Sequence, residues 1–338
     1  MEYEYQSRRA FISTAATAAM SIASVPMTAP GKTVTPRPGA VAPLGPVKQI
    51  DAGDLNVGYI DAGPTDGPVA ILLHGWPYDI NAFGEVVPLL TAKGYRLIVP
   101  HLRGHGTTTF RSADTPRNAQ QSALAADIID LMDALHIEKA VVGGFDWGSR
   151  TANILAALWP DRIKGLVAVS GYNIVNLAEH MHPLPPKWEL TIWYFFYFAT
   201  ERGRLGYPAN RHDFNKLIWT NASPKWQFDD ATYERSATAF NNADHAEIVV
   251  HSYRWRLSLA PGEAKYEELE KKLSGKPVIT VPAITIASDF DGPLADGKSY
   301  ASRYTGKYSH RILKDIGHNV PQEAPEAFAD AILEVGRY

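Results

Sequence analysis

The chain has 338 residues, 45% hydrophobic and 20% charged, enough to bury a sizeable core in one large or two small domains. A formal net charge of −3 gives no support for binding nucleic acid or an anionic membrane. The absence of cysteine excludes disulfides, thiolate metal sites and cysteine nucleophiles.

In chain order, Ser7-Arg8-Arg9-Ala10-Phe11-Ile12 is a twin-arginine pattern. The alanine- and serine-rich stretch from Ser13 to Val25 is too short and too polar to span a membrane, so no stable insertion is expected. Residues 1–29 are expected to be a twin-arginine-type signal. They would hand the chain to that export machinery and place the protein in the periplasm or outside the cell. Residues 30–46 carry prolines at 30, 36, 38, 43 and 46 and read as a linker.

From Val47 the pattern becomes α/β. Val47–Asp51 and Leu55–Ile60 suggest a strand pair, and Val69–Leu73, Arg96–Pro100, Ala140–Gly143 and Gly165–Ser170 are short apolar runs suited to doubly buried strands. Gln121–Leu135 repeats its apolar residues at helical spacing. After Ser170 the alternation stops, and residues 172–276 are aromatic and helix-patterned with no strand. Strands resume at Val281–Ala287 and His310–Lys314, and a closing helix starts near Pro325. Residues 47–171 and 277–338 would therefore form one core with a mostly parallel sheet. Residues 172–276 would be a helical lid over the ends of its strands.

The most informative stretch is Gly144-Phe145-Asp146-Trp147-Gly148-Ser149, lying between an apolar run and a helix-compatible one. That is the strand–turn–helix setting of a nucleophile elbow, with aspartate in the nucleophile position. A serine attacking a saturated carbon would leave an ether, which water does not cleave. A carboxylate leaves an ester, which water does. Asp146 therefore points to substrates electrophilic at saturated carbon. Its alternative is an ordinary helix cap.

These residues resemble the α/β-hydrolase fold, in the branch of epoxide hydrolases and haloalkane dehalogenases that use an aspartate nucleophile. The resemblance implies an α/β-hydrolase core with a helical lid inserted between two strands. The family's order of nucleophile, acid and histidine is met by Asp146, Asp291 and His318, with Asp289 as rival for the acid. His318 would activate water, and the acid would orient it. His74-Gly75-Trp76-Pro77 resembles the oxyanion loop, so the N–H groups of Trp76 and Trp147 would face the oxyanion, with His74 bracing the loop. His101 and His105 are four apart, but without a third ligand no metal site is expected, and no cofactor is implied.

In the lid, Trp193-Tyr194-Phe195-Phe196-Tyr197-Phe198 and His251-Ser252-Tyr253-Arg254 resemble segments carrying two tyrosines that hold an epoxide oxygen. The register selects Tyr197 and Tyr253, with Tyr194 the alternative to Tyr197. The resemblance implies hydrolysis of a small apolar epoxide to a vicinal diol. The alternatives are a haloalkane or haloacid dehalogenase with the same nucleophile, and a catalytically silent binder on this fold.

Overall fold

The computed structural model describes residues 44–338. The expected export signal, and all but the last three residues of the expected linker, lie outside the described residues. Nine strands form one sheet: β1 (Lys48–Ala52), β2 (Leu55–Ala62), β3 (Val69–Leu73), β4 (Arg96–Pro100), β5 (Thr109–Phe110), β6 (Ala140–Gly144), β7 (Ile163–Val169), β8 (Ala283–Ala287) and β9 (Tyr308–Ile312). Their order is β1-β2-β4-β3-β6-β7-β8-β9, with the short β5 beside β2. β1 and β2 form an antiparallel hairpin, β2 runs antiparallel to β4, and the remaining path from β4 to β9 is parallel.

The parallel strands read as continuous apolar runs because both of their faces are covered. Ile71, Leu73, Val142, Leu166 and Ala168 point into one core, and Ala70, Leu72, Val141, Val167 and Val169 into the other. Helices α2 (Gln121–Ala134) and α3 (Trp147–Leu158) supply Leu124, Ile128, Ile154 and Leu155 to the first. Helix α1 (Val86–Thr91) and the closing helix α12 (Pro325–Val335) supply Leu90, Phe328 and Ile332 to the second. Helix α11 (Val320–Glu323) precedes α12.

Between β7 and β8 the chain makes only helices: α4 (Leu177–His180), α5 (Pro186–Thr191), α6 (Trp193–Ala199), α7 (Glu201–Ala222), α8 (Asp230–Ala237), α9 (His245–Arg256) and α10 (Glu267–Ser274). Among the described residues no helix is long and apolar enough to cross a membrane.

Several strands differ from the apolar runs in their bounds, and β8 and β9 show why. β8 starts at Ala283 because Pro282 has no N–H to give the ladder. β9 starts at the polar Tyr308-Ser309, because an edge strand paired only with β8 needs no doubly apolar face.

The order β4-β3-β6 places successive connections on opposite sides of β3, so the crevice opens beyond the carboxyl ends of β3 and β6. The loops that follow them carry Trp76 and Asp146. Helix α3 reaches the sheet there only because residue 148 is glycine: a Cβ on it would lie 1.9 Å from the Leu73 carbonyl oxygen. Gly148→Ala is accordingly expected to lower stability by about 2 kcal/mol or more, read as a lower urea midpoint. An unchanged midpoint would mean that α3 is not pressed against β3.

Candidate active site

Asp146 sits at φ 53°, ψ −123°, a backbone region that L-residues rarely occupy. The turn lifts its carboxylate out of the sheet and against the loop after β3. A Cβ at residue 75 would fall 2.4 Å from Asp146 Oδ1, so only glycine lets that loop pass so close. The Trp76 N–H donates to Asp146 Oδ1 at 2.8 Å, and the other oxygen, Oδ2, lies 3.3 Å from His318 Nε2. Trp147 opens α3, so its N–H has no acceptor within the helix. Burial by itself would raise the Asp146 carboxyl. The His318 hydrogen bond, the charges of His318 and Arg150 and the Trp76 N–H outweigh it and bring the group below the usual aspartate value. The ionised form of the carboxylate is thus favoured.

His318 is 6% exposed and is held by its loop rather than by its ring alone. Its N–H donates to Ser223 Oγ at 3.0 Å and to the Ala222 carbonyl at 3.1 Å, both at the end of α7. The Ser223 hydroxyl donates to Glu323 Oε1 at 2.6 Å. Glu323 also accepts the Gly317 N–H at 2.6 Å and the Asn319 N–H at 3.0 Å. Three consecutive backbone donors around the histidine therefore end on one buried serine–glutamate pair. Sequence reasoning missed Glu323, although its place five residues after His318, on a short helix that follows the loop, is a usable signal. The Phe290 ring lies over the imidazole, with centroids 4.1 Å apart.

The two candidate acids separate cleanly. Asp289 is exposed and paired with Lys225 at 2.7 Å. Asp291 accepts the Ser288 N–H at 2.8 Å, and its charge acts on His318. Burial raises its carboxyl, against the hydrogen bonds from Ser170 and Ser288 and the charge of His318. Among the described residues His318 Nδ1 has no hydrogen-bond partner, so Asp291 faces the histidine without bonding to it.

The lid corrects one expectation. Tyr197, selected by register, has its hydroxyl over Gly206 of α7, where a Cβ would lie 2.1 Å away. Tyr194, one helical turn earlier, is the residue that faces the carboxylate. Its ring lies 5.4 Å from Trp76 and 5.2 Å from Tyr253, and its hydroxyl is raised by burial and by the charge of Asp146. The cause is helical packing: α6 buries Phe195 and Phe198, and that face turns Tyr197 onto α7. Tyr253, on α9, is 1% exposed and accepts the Trp147 indole N–H at 3.4 Å. Burial, Tyr194 and Asp146 push its hydroxyl well above the ordinary range. Both phenols therefore stay protonated and able to donate. Among the described residues no three histidines, aspartates or glutamates are placed to hold a metal ion.

Residues 68–214 match the model of the α/β hydrolase fold family. Epoxide hydrolase A of Mycobacterium tuberculosis is 30% identical over 315 residues, 84% of this chain and 95% of that protein. The chain belongs to the α/β-hydrolase family. A solved structure from Klebsiella pneumoniae, described as a candidate epoxide hydrolase, is 56% identical with a TM-score of 0.85, covering 86% of this chain and 97% of that one. Epoxide hydrolase B of Mycobacterium tuberculosis is 30% identical over 149 residues, 40% of this chain, and the match spans only 41% of that protein's length. A fluoroacetate dehalogenase from Burkholderia is 27% identical over 211 residues, 61% of this chain and 63% of its own.

Beneath the oxyanion loop of this α/β hydrolase lies a chain of buried histidines. The ring centroids of His74 and His105 are 4.9 Å apart, and those of His105 and His245 4.8 Å. His74 Nδ1 donates to the Gly75 carbonyl and its Nε2 accepts the Leu102 N–H, so the ring braces the loop in its neutral form. His245 Nδ1 donates to the Gly104 carbonyl, and its Nε2 lies 2.9 Å from the Tyr207 hydroxyl, which accepts the Trp76 indole N–H.

Burial, with some mutual repulsion, pushes His101 down to about 3 and His74 and His245 well below their ordinary value. Burial alone takes His105 down to about 4, against its hydrogen bond to Arg103 and the charge of Asp146. Between about pH 6.5 and 4 the unfolded chain therefore binds protons that the folded chain refuses, and stability falls as pH falls. Asp79, pushed up to about 7 by burial, opposes this, as do Asp127, Asp130, Asp291 and Glu323, whose carboxyls burial also raises. Urea unfolding is expected to show a loss of at least about 2 kcal/mol from pH 7 to pH 5. His105→Gln should flatten that slope by about 1 kcal/mol per pH unit. A slope unchanged by the substitution would contradict the account.

Proposed function

We propose that this α/β hydrolase opens an epoxide to a vicinal diol in two covalent steps at Asp146. The observation that carries the reading is the opposed pair of devices on one carboxylate. A backbone N–H holds Oδ1, while Oδ2, 3.3 Å from His318 Nε2, lies beneath two protonated lid tyrosines. In the first step Oδ2 attacks a ring carbon, the carbon–oxygen bond of the epoxide breaks, and Tyr194 and Tyr253 donate hydrogen bonds to the departing oxygen. That oxygen takes a proton from one of the two phenols and ends as a hydroxyl, and the phenol regains its proton from water before the next turnover. The product is a hydroxyalkyl ester whose carbonyl oxygen is Oδ1.

In the second step His318 Nε2 takes a proton from water, and the resulting hydroxide attacks the ester carbonyl. The Trp76 and Trp147 N–H groups hold the oxyanion; collapse then breaks the bond between the carboxyl carbon and Oδ2, the His318 imidazolium gives its proton to the leaving diol oxygen, and the aspartate is restored. Asp291 stabilises the imidazolium through its charge. Glu323 and Ser223 hold the histidine loop in register and take no part in proton transfer.

The dehalogenase reading keeps one specific support: the Trp147 indole N–H lies 3.4 Å from the Tyr253 hydroxyl, two donors of the kind a halide takes. His318→Ala separates the two readings, because it should form the ester and release it slowly. Intact-protein mass after exposure to epoxides should show an adduct equal to the whole epoxide. An adduct equal to a haloalkane less hydrogen halide, with none from any epoxide, would move the enzyme to dehalogenation. In the same series Tyr194→Phe should lower kcat/KM for an epoxide on the order of 100-fold, while Tyr197→Phe leaves it within threefold. The reverse ranking would return the role to Tyr197.

A further inference from the structure

Two arginines flank Asp146 and Tyr253 without a carboxylate of their own. Arg150 stands four residues after Asp146 on α3, and Arg256 three residues after Tyr253 on α9, so each reactive group has a guanidinium about one helical turn away. Arg150 is 9% exposed, and among the described residues its guanidinium donates from Nε to the Asn173 carbonyl at 3.2 Å. Arg256 stacks on Phe195 with its guanidinium carbon 4.4 Å from the ring centroid, and 5.8 Å from that of Tyr253. Its Nε is buried with no hydrogen-bond partner, and its Nη2 reaches only the neutral acceptor His180 Nε2, at 3.5 Å.

The two cations repel each other: burial and the charge of Arg150 bring Arg256 down to about 9, against the pull of Tyr253, Tyr194 and Asp146. The same pair, after burial, holds His180 down to about 3 and so keeps it neutral. The carboxylate whose charge acts on both arginines is Asp146, and it is already engaged by Trp76 and His318. The residues around the carboxylate therefore set two guanidinium charges against one carboxylate. Buried arginines are normally paired, and the guanidinium fork matches a carboxylate in particular.

We propose that Arg150 and Arg256 form a carboxylate subsite beside the nucleophile, and that the substrate is a short epoxy acid. This rests on the reading that an epoxide is opened at Asp146, and it replaces the expected apolar substrate with a small anion in an aromatic-walled pocket. Residues one turn apart on a helix place their side chains about 5–6 Å apart. The carboxylate therefore sits on a ring carbon or one carbon from it. The reaction adds one water to the epoxy acid and gives a dihydroxy acid.

The test compares full-length enzyme on glycidate and on glycidol, its uncharged counterpart of similar size, by kcat/KM. Glycidate is expected to be favoured at least 100-fold. Propionate, which cannot react, should compete with both substrates. Arg256→Gln should bring the ratio to within tenfold, mostly through KM, and Arg256→Lys should retain part of it. Equal turnover of the two epoxides by the wild type, or a ratio unchanged in Arg256→Gln, overturns the subsite while leaving epoxide opening intact. Diol from no epoxide at all overturns the underlying reading instead. In that event, halide release from 2-chloropropionate that falls in Arg256→Gln would support the anion subsite and move its substrate to the halo acids.

Discussion

The site depends on one contact between two loops: the Trp76 N–H on Asp146 Oδ1 at 2.8 Å. It forms at the point where β3 and β6 lie side by side, and it needs glycine at 75 and 148 to let the loops meet. It also makes the two carboxylate oxygens unequal, one taking a backbone N–H and the other facing the His318 imidazole. Everything else acts on that inequality. His318 approaches Oδ2, the lid phenols close over it, and the buried histidines brace the loop that supplies the N–H.

Lid and core are joined through both partners of this contact. The Trp76 indole reaches Tyr207 of α7, and the His318 backbone is bound by Ala222 and Ser223 at the end of the same helix. One lid helix thus touches the oxyanion loop at one point and the histidine loop at another. The seating of the lid and the position of the histidine loop are therefore tied to one helix.

Much of this was legible in the sequence where the signal was local. The strands β3 and β4 coincide with their apolar runs, because a strand buried on both faces must be apolar throughout. Asp146 and His318 stood in short motifs whose geometry belongs to a single turn. The lid was harder. Tyr194 and Tyr197 sit one turn apart in an aromatic run, and which of them faces the site depends on how α6 packs on α7, which no local pattern encodes. Arg256, at the end of α9, reads in sequence as a cation suited to the negative end of a helix. Only the fold shows that it lies against Phe195 with its Nε buried and unpartnered. Asp289 and Asp291 separated for a similar reason, since Lys225, far away in sequence, claims the first.

The central claim is that water attacks the ester and never the substrate. A single turnover with enzyme in excess over epoxide, run in ¹⁸O-water, tests it directly. The account predicts an unlabelled first diol and one ¹⁸O atom retained in the peptide containing Asp146, because the diol's new oxygen is the former Oδ2. Label in the first diol, with none in that peptide, would contradict it.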